Sequence, residues 1–351
     1  MGTGSMNQIL VTGAQGYVGR HIVAELARAQ VPVVGVGRSP VIDTFTHRID
    51  PACSGGASRA PLPEHLGAIL KTARYRYIQA DLCNAGATRA VLAATQPAVV
   101  VHLAAALRDE SWSDLVSANV TATSTLIEAI GEMPTKPAVI YGSSGSVYGA
   151  QRSLPFAEDA LPCPVGLYSA SKHMGEIAAQ ALGARHGVRV VAARIFNLVG
   201  PGLQDRHLAG RLAHEIAAIE LGRREPRIVT GPLTSTRDLI DVRVAARMLV
   251  ALARRDDWPA IVNIGSGEET PIARLAQDLV DQARCKIDLE QRGDAVVSAG
   301  ADRQVADTAT AERLGLRPEL RLGQSLSDML AYARGIVART SSHEPSLAIS
   351  N

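Results

Sequence analysis

The chain has 351 residues, with 36 basic and 34 acidic side chains, a net charge of +2 and 46% hydrophobic content. That length buries a large core, either as one big domain or as a domain plus a lobe. The balanced charge gives no reason to expect nucleic acid or an acidic membrane as partner. No apolar run approaches the roughly 20 residues of a membrane helix.

Residues 1–5, "MGTGS", lack the basic and apolar pattern of a signal segment and read as a vector-derived leader, with Met6 as the native start. Short β-branched runs then alternate with alanine-rich helical stretches: "QILVTG", "HIVAELARAQ", "PVVGVGR", "YRYIQADL", "TRAVLAATQ", "AVVVHLAA", "SANVTATSTLIEAIGEM" and "PAVIYGSS". Continuous apolar strands separated by helices predict an α/β fold of Rossmann type, a doubly wound parallel sheet covered on both faces. Residues 39–74, rich in Pro, Gly and Ser, read as a long surface excursion. After "RVVAARIFNLVGPG" the rhythm changes to a helix, a short strand "PRIVTG" and a loop. "RDLIDVRVAARMLVALARR" and "AIVNIGSG" then read as a return to the sheet. The expected division is a sheet domain over 6–196 and 239–266 and a smaller C-terminal α/β substrate lobe over 197–238 and 267–334, with a disordered tail over 335–351. Cys53, Cys83, Cys163 and Cys285 are far apart and show no metal-ligand spacing, which suits reduced thiols in a cytoplasmic protein.

Gly13, Gly16 and Gly19 follow the strand "QILV" and open the helix "YVGRHIVAELARA". Gly13 permits a tight turn, Gly16 lets the backbone approach a pyrophosphate, and Gly19 allows close packing of helix on sheet. The helix N-terminus offers N–H groups to the phosphates. Gln15, Tyr17 and Val18 lie between these glycines and complete the cradle.

The G-x-x-G-x-x-G spacing resembles the short-chain dehydrogenase/reductase superfamily, especially its extended branch. The resemblance implies that Asp81 in "QADL", with Leu82 beside it, meets the adenine. It also implies that Leu103, Ala104 and Ala105 of "HLAA", and Asn119, line the cofactor. Asp81 has a plain alternative as a strand-end acid capping the next helix. An NAD enzyme places an acid about 20 residues beyond the glycines, on the ribose hydroxyls. Here that place reads "VGVGRSP". Gly37 leaves room, and Arg38, followed by Ser39, pairs with a 2′-phosphate. NADP(H) is therefore favoured, with NAD(H) the alternative if Arg38 is only an exposed strand-end arginine.

Behind "YGSSGSVYG", Tyr168 and Lys172 are four apart and share one helix face. A tyrosine near its ordinary pKa of about 10 is a poor acid or base at neutrality. The Lys172 ammonium and a positive nicotinamide are expected to bring the phenol down, with Ser144 orienting the substrate oxygen and Lys172 holding the nicotinamide ribose. Tyr148 and Gly149 are expected to shape the loop, and His102 and His173 to be structural.

From about residue 7 to 334 the chain resembles the extended branch of nucleotide-sugar epimerases, dehydratases and reductases through "TGAQGYVG", "HLAA", "SANVTATSTLIEA", "SSGSVYG", "YSASK", "RIFNLVGPG", "RDLIDV" and "NIGSG". The resemblance implies that Ser146 joins Ser144 at the substrate, and that Asn197 and Arg237 contact its diphosphate. A second lobe arginine is Arg292 in "QRGD" or Arg303 in "ADRQVADT". Gly145 and Ser146 follow Ser144 where dehydratases carry acids, which argues against water elimination. The stretch "RLAHEIAAIELGRREPRIVTGPLTSTRDLIDVRV" is most similar to the 4-keto reductases of GDP-linked 6-deoxy sugars. Pro232 and Val244 depart from that group's pattern and leave the base open between GDP and dTDP types. The expected activity is NADPH-dependent reduction of a nucleotide-linked 4-keto-6-deoxy sugar. An NAD-dependent 4-epimerase is the alternative, and a cofactor-sensing regulator is disfavoured by the intact Ser144, Tyr168 and Lys172. The resemblance also implies a homodimer built on "SANVTATSTLIEAIGEM" and "GLYSASKHMGEIAAQALGA".

Overall fold

The computed structural model describes residues 8–47, 58–108, 110–150, 153–293, 302–319 and 321–340. The expectation for residues 1–5 and the thiol of Cys53 lie outside them. Among the described residues, Cys83, Cys163 and Cys285 are free thiols. No helix among them is long and apolar enough to cross a membrane.

The chain begins with β1 (Ile9–Thr12), α1 (Tyr17–Arg28) and β2 (Val33–Gly37). The surface excursion that follows holds an antiparallel pair, β3 (Thr44–His47) and β4 (Ser58–Pro61), and the short α2 (Glu64–Gly67). Next come β5 (Tyr75–Gln79), α3 (Ala85–Thr95), β6 (Val99–His102), α4 (Trp112–Val116), α5 (Ala122–Gly131), β7 (Ala138–Ser144), α6 (Leu167–His186) and β8 (Val190–Ile195). The second part contains β9 (Asn197–Val199), α7 (Leu208–Glu220), β10 (Arg227–Thr230), β11 (Thr236–Asp241), α8 (Val242–Ala253), β12 (Ile261–Ile264), β13 (Glu269–Pro271), α9 (Ile272–Val280), β14 (Asp288–Gln291), α10 (Ala309–Arg313) and α11 (Leu322–Thr340).

The central sheet is seven-stranded and parallel throughout, in the order β12-β8-β7-β6-β1-β2-β5. Its apolar runs are buried because helices cover both faces, as the lack of alternation predicts. One face packs Val11, Val33, Val101 and Ile140 against α1 and α8, and the other packs Leu10, Val34, Val100 and Val139 against α3 and α5. The lobe has its own core of Leu212, Ile216, Leu275, Leu279 and Leu330 from α7, α9 and α11. Strand order reverses between β1 and β6, and a crevice opens at the carboxyl ends of the strands at such a switch point.

Two expectations need correction. Residues 239–241 do not rejoin the central sheet: β11 pairs with β9 and β13 in a separate three-stranded sheet, and the return is made by β12. An apolar run records that a strand is buried and leaves open which sheet buries it. The tail does not start at Gly335 either, because α11 runs on to Thr340, with Ile336 and Val337 buried.

Candidate active site

At the switch point, Gly13 has φ +66°, and a Cβ there would stand 2.8 Å from the Ala104 nitrogen. Any side chain would therefore push away the segment after β6. A Cβ on Gly19 would come within 2.2 Å of the Gly13 carbonyl oxygen, which is why α1 can close on the turn. No side chain caps α1 and no acid occupies its first turn, so its leading N–H groups face outward for an anion. Thr12 fixes the opposite wall: its hydroxyl accepts from the Leu103 and Ala104 nitrogens, each at 3.1 Å. These features fit a dinucleotide pyrophosphate.

The residues around the cradle divide into ligand-facing and structural. The Gln15 amide is occupied, since Nε2 donates to the Pro40 carbonyl and the Tyr77 hydroxyl at 2.8 Å each and Oε1 accepts from the Ile42 nitrogen at 2.6 Å. Gln15 therefore anchors the loop that carries Arg38 and Ser39. Arg20, which the sequence reading missed, is buried beneath the same loop and donates to the Gln15 and Ile42 carbonyls at 3.0 and 2.7 Å. Tyr17 donates to the Gly200 carbonyl at 3.0 Å and ties the cradle to the loop after β9. Val18 is half-buried against the core. A Cβ on Gly37 would meet the Tyr77 hydroxyl at 2.6 Å, so the glycine makes room for that side chain. Arg38 is exposed at the end of β2, and its guanidinium forms no ion pair among the described residues. Ser39 is exposed beside it, with its carbonyl accepting from Tyr77 at 2.8 Å.

Asp81 is exposed at the end of β5 and accepts from the Cys83 nitrogen at 3.0 Å, but the next helix is capped by Asn84, which accepts from the Ala87 nitrogen, so the capping alternative does not fall to Asp81. Leu82 is a correction: its side chain is buried in the core rather than free to line a cofactor. Asn119 is another. It is fully buried, accepts from the Ala106 nitrogen at 2.9 Å and donates to Ser171 at 2.9 Å, so it pins the Leu103–Ala105 wall to α6. His102 is buried between Thr12 (2.7 Å) and Thr123 (3.0 Å), and burial drops it to about 3, which keeps it neutral and structural.

The chemistry gathers where β7 ends against α6. Successive strand residues point to opposite sides. Ser143 points to Glu176 at 2.5 Å, while Ser144 turns to the cleft and shares a 3.0 Å hydrogen bond with Ser146. Arg108, Ser144, Ser146, Phe196, Asn197 and Gln304 line that cleft. Tyr168 reaches it from the first turn of α6, and the Ser144 hydroxyl favours its ionised form. The expected acidic phenol depends on Lys172 together with a bound nicotinamide. Burial pushes Tyr168 above the ordinary tyrosine value, and the groups that oppose this are Arg108, Ser144 and Arg206 rather than Lys172. The Lys172 ammonium lies 4.6 Å from the Tyr141 ring centroid, and its own burial lowers it to about 8 against the pull of Glu176.

The lobe brings Asn197 and Arg237 to the same side. Asn197 donates to the Asp238 carbonyl at 3.3 Å and to Gln304 at 3.4 Å. Among the described residues Arg237 donates to carbonyls, those of Thr236 at 2.7 Å and Asp302 at 3.3 Å. Asp238, unnoticed in the sequence, is fully buried and accepts from Ser266, Gly267 and Ala306 nitrogens at 2.7, 2.9 and 3.1 Å, which fixes the segment carrying Gln304. Arg292 is corrected as a substrate residue. It chelates Glu290 at 2.7 and 3.0 Å at the exposed end of β14 and does not line the cleft. Arg303 is likewise held by Glu269, at 2.6 Å twice.

The sequence profile of the NAD dependent epimerase/dehydratase family matches residues 9–265. The GDP-6-deoxy-D-mannose reductase of Pseudomonas aeruginosa is 27% identical, covering 92% of this chain and 96% of its own. A UDP-glucose 4-epimerase of Azospirillum brasilense is 28% identical over 87% of this chain and 83% of its own. Among solved structures, RMD from Pseudomonas aeruginosa complexed with NADPH superposes with a TM-score of 0.75 at 26% identity, covering 94% of this chain and 99% of that one.

Proposed function

We infer that this chain, which belongs to the NAD dependent epimerase/dehydratase family, reduces the 4-keto group of a nucleotide-linked 4-keto-6-deoxy sugar with NADPH. The carrying observation is the Tyr168 hydroxyl hydrogen-bonded to Ser144, in a cleft that also presents Asn197 and whose Arg108 acts on the charge of Arg237. A reduction needs a proton donor at the carbonyl oxygen, and a protonated Tyr168 is one. The similarity to the Pseudomonas aeruginosa reductase supports the same direction.

A dihydronicotinamide, when bound, supplies the hydride. The N–H groups of the Gly13–Val18 turn would hold its pyrophosphate, Arg38 its 2′-phosphate and Lys172 its ribose. Ser144 donates a hydrogen bond to the carbonyl oxygen and aligns it, and Tyr168 gives that oxygen its proton. Carbon 4 gains a hydride and its oxygen a proton, which completes the alcohol.

Mixing the protein with NADPH and GDP- or dTDP-4-keto-6-deoxy sugars should deplete the dihydronicotinamide absorbance. Failure with every nucleotide rejects the reading. In the same assay Arg38→Ala should weaken NADPH binding about ten- to a hundredfold, the worth of a charge-assisted hydrogen bond, and leave NADH unaffected. Equal loss of both cofactors would assign Arg38 elsewhere. The second reading, a 4-epimerase, is favoured by the Azospirillum brasilense relative. Protein purified with resident NAD that interconverts two sugars without net redox change would establish it.

We also propose a homodimer. Leu167, Met174 and Ile177 of α6 are 57, 41 and 52% exposed, and Trp112 of α4 is 43% exposed. Met174 and Ile177 share a helix face at i, i+3, and burying that face against its two-fold copy removes apolar surface from water. Light scattering at micromolar concentration should give twice the chain mass, and Ile177→Lys should lower it. A monomeric wild type would refute the pairing.

A further inference from the structure

We propose that Arg108, on the loop after β6, is a substrate-positioning residue that forms with Arg237 a two-guanidinium clamp for the diphosphate of the nucleotide-linked sugar. The inference rests on the nucleotide-sugar reading above and assigns to this chain a cation that the sequence did not point to.

Three observations carry it. Arg108 lines the cleft with Ser144, Ser146 and Asn197, and its guanidinium carbon stands 5.8 Å from the centroid of the Tyr168 ring. It is also close enough to Arg237 to disfavour the charge there, burial being the larger cause. Finally, neither Arg108 nor Arg237 forms an ion pair among the described residues. Arg243, Arg292 and Arg303 each chelate a carboxylate: Arg243 takes Asp241 and Asp328 at 2.7 Å, Arg292 takes Glu290 at 2.7 Å, and Arg303 takes Glu269 at 2.6 Å. Arg108 disfavours the charge of Arg237 while Asp302 favours it without forming an ion pair, and an anion between the two guanidinium groups would relieve their repulsion. A diphosphate has the charge and the multiple oxygens that planar forks recognise.

The placement over Tyr168 couples binding to chemistry. In the free protein Arg108 favours the phenolate. Phosphate oxygens at Arg108 cancel that influence, so the bound complex keeps the proton on the phenol that must donate it.

The test is calorimetric titration of wild type, Arg108→Met, Arg108→Lys and Arg237→Met with GDP, UDP and dTDP, and with the matching monophosphates. Wild type should bind at least one diphosphate. Arg108→Met should weaken it about ten- to a hundredfold and the monophosphate far less, and Arg108→Lys should recover part of the loss. In the free protein, ultraviolet titration should place the Tyr168 phenol (assigned by its absence in Tyr168→Phe) higher in Arg108→Met than in wild type. Diphosphate affinity unchanged in Arg108→Met overturns the clamp and leaves the functional reading standing. Equal losses with mono- and diphosphate also overturn it. If wild type binds no nucleoside diphosphate, the reading itself falls and the clamp with it.

Discussion

Tyr168→Phe is expected to lower turnover by about 10²- to 10⁴-fold, the usual worth of a positioned general acid, while cofactor and nucleoside diphosphate still bind. Phenylalanine keeps the ring beneath the Arg108 guanidinium and removes only the hydroxyl proposed to transfer the proton. Ser144→Ala should lose less, because Ser144 aligns the carbonyl and Ser146 stands 3.0 Å from its hydroxyl. The pH profile follows from the same groups. Tyr168 titrates above the ordinary tyrosine value, so it stays a donor through neutrality and beyond. Lys172, lowered to about 8, loses its charge first as pH rises. Reduction should therefore decline above about pH 8, and Lys172→Met should abolish that limb along with much of the cofactor affinity. Single-turnover kinetics across pH measure both. Undiminished reduction by Tyr168→Phe would remove the phenol from the mechanism.

Glu176→Ala should lower folding stability by about 3–5 kcal/mol, the scale on which breaking a buried ion pair acts. Glu176 and Arg194 are each 2% exposed, and Arg194 donates to the carboxylate at 2.6 and 3.2 Å. Ser143 adds a hydrogen bond at 2.5 Å. The guanidinium also covers the Tyr148 ring at 4.6 Å, and Tyr148 donates to Asn263 at 2.7 Å. One truncation thus strands a charge that bridges β7, α6, β8 and β12. Replacing both partners, as in Glu176→Leu with Arg194→Met, should cost less than the sum of the single losses, because no charge is left behind. Denaturant unfolding of the three variants tests this, and a loss below about 1 kcal/mol for Glu176→Ala would show that water rehydrates the site. Glu176 lies one helical turn beyond Lys172 and favours its charge, so the milder Glu176→Gln should also move the alkaline limb below pH 8.

The elements readable in the sequence are those whose signal is local. Gly13 and Gly19 announce a turn that tolerates no Cβ, and the crowding at 2.8 and 2.2 Å is the reason. Unbroken runs such as Val99–Val101 report burial on both faces, hence a parallel sheet. Tyr168 and Lys172 share a helix face because 3.6 residues make a turn. The same periodicity predicts no wider surroundings, and there the reading fails. Gln15 and Asn119 sit in family motifs, yet their amides are spent on the Ile42 loop and on Ser171. Arg292 and Arg303 looked equally available for a phosphate until their carboxylate partners, Glu290 and Glu269, were visible.

By itself the sequence determined the cradle at the end of β1, the parallel sheet and the serine, tyrosine and lysine proposed to act beside it, since each depends on neighbours within a few residues. Only the tertiary structure decided that β11 leaves the central sheet, that Asp238 anchors the lobe segment, and that Arg108 comes close enough to act on the charge of Arg237, far away in the chain. It also set the direction in which Tyr168 is shifted, because a phenol's acidity depends on how much water and charge the whole fold leaves around it.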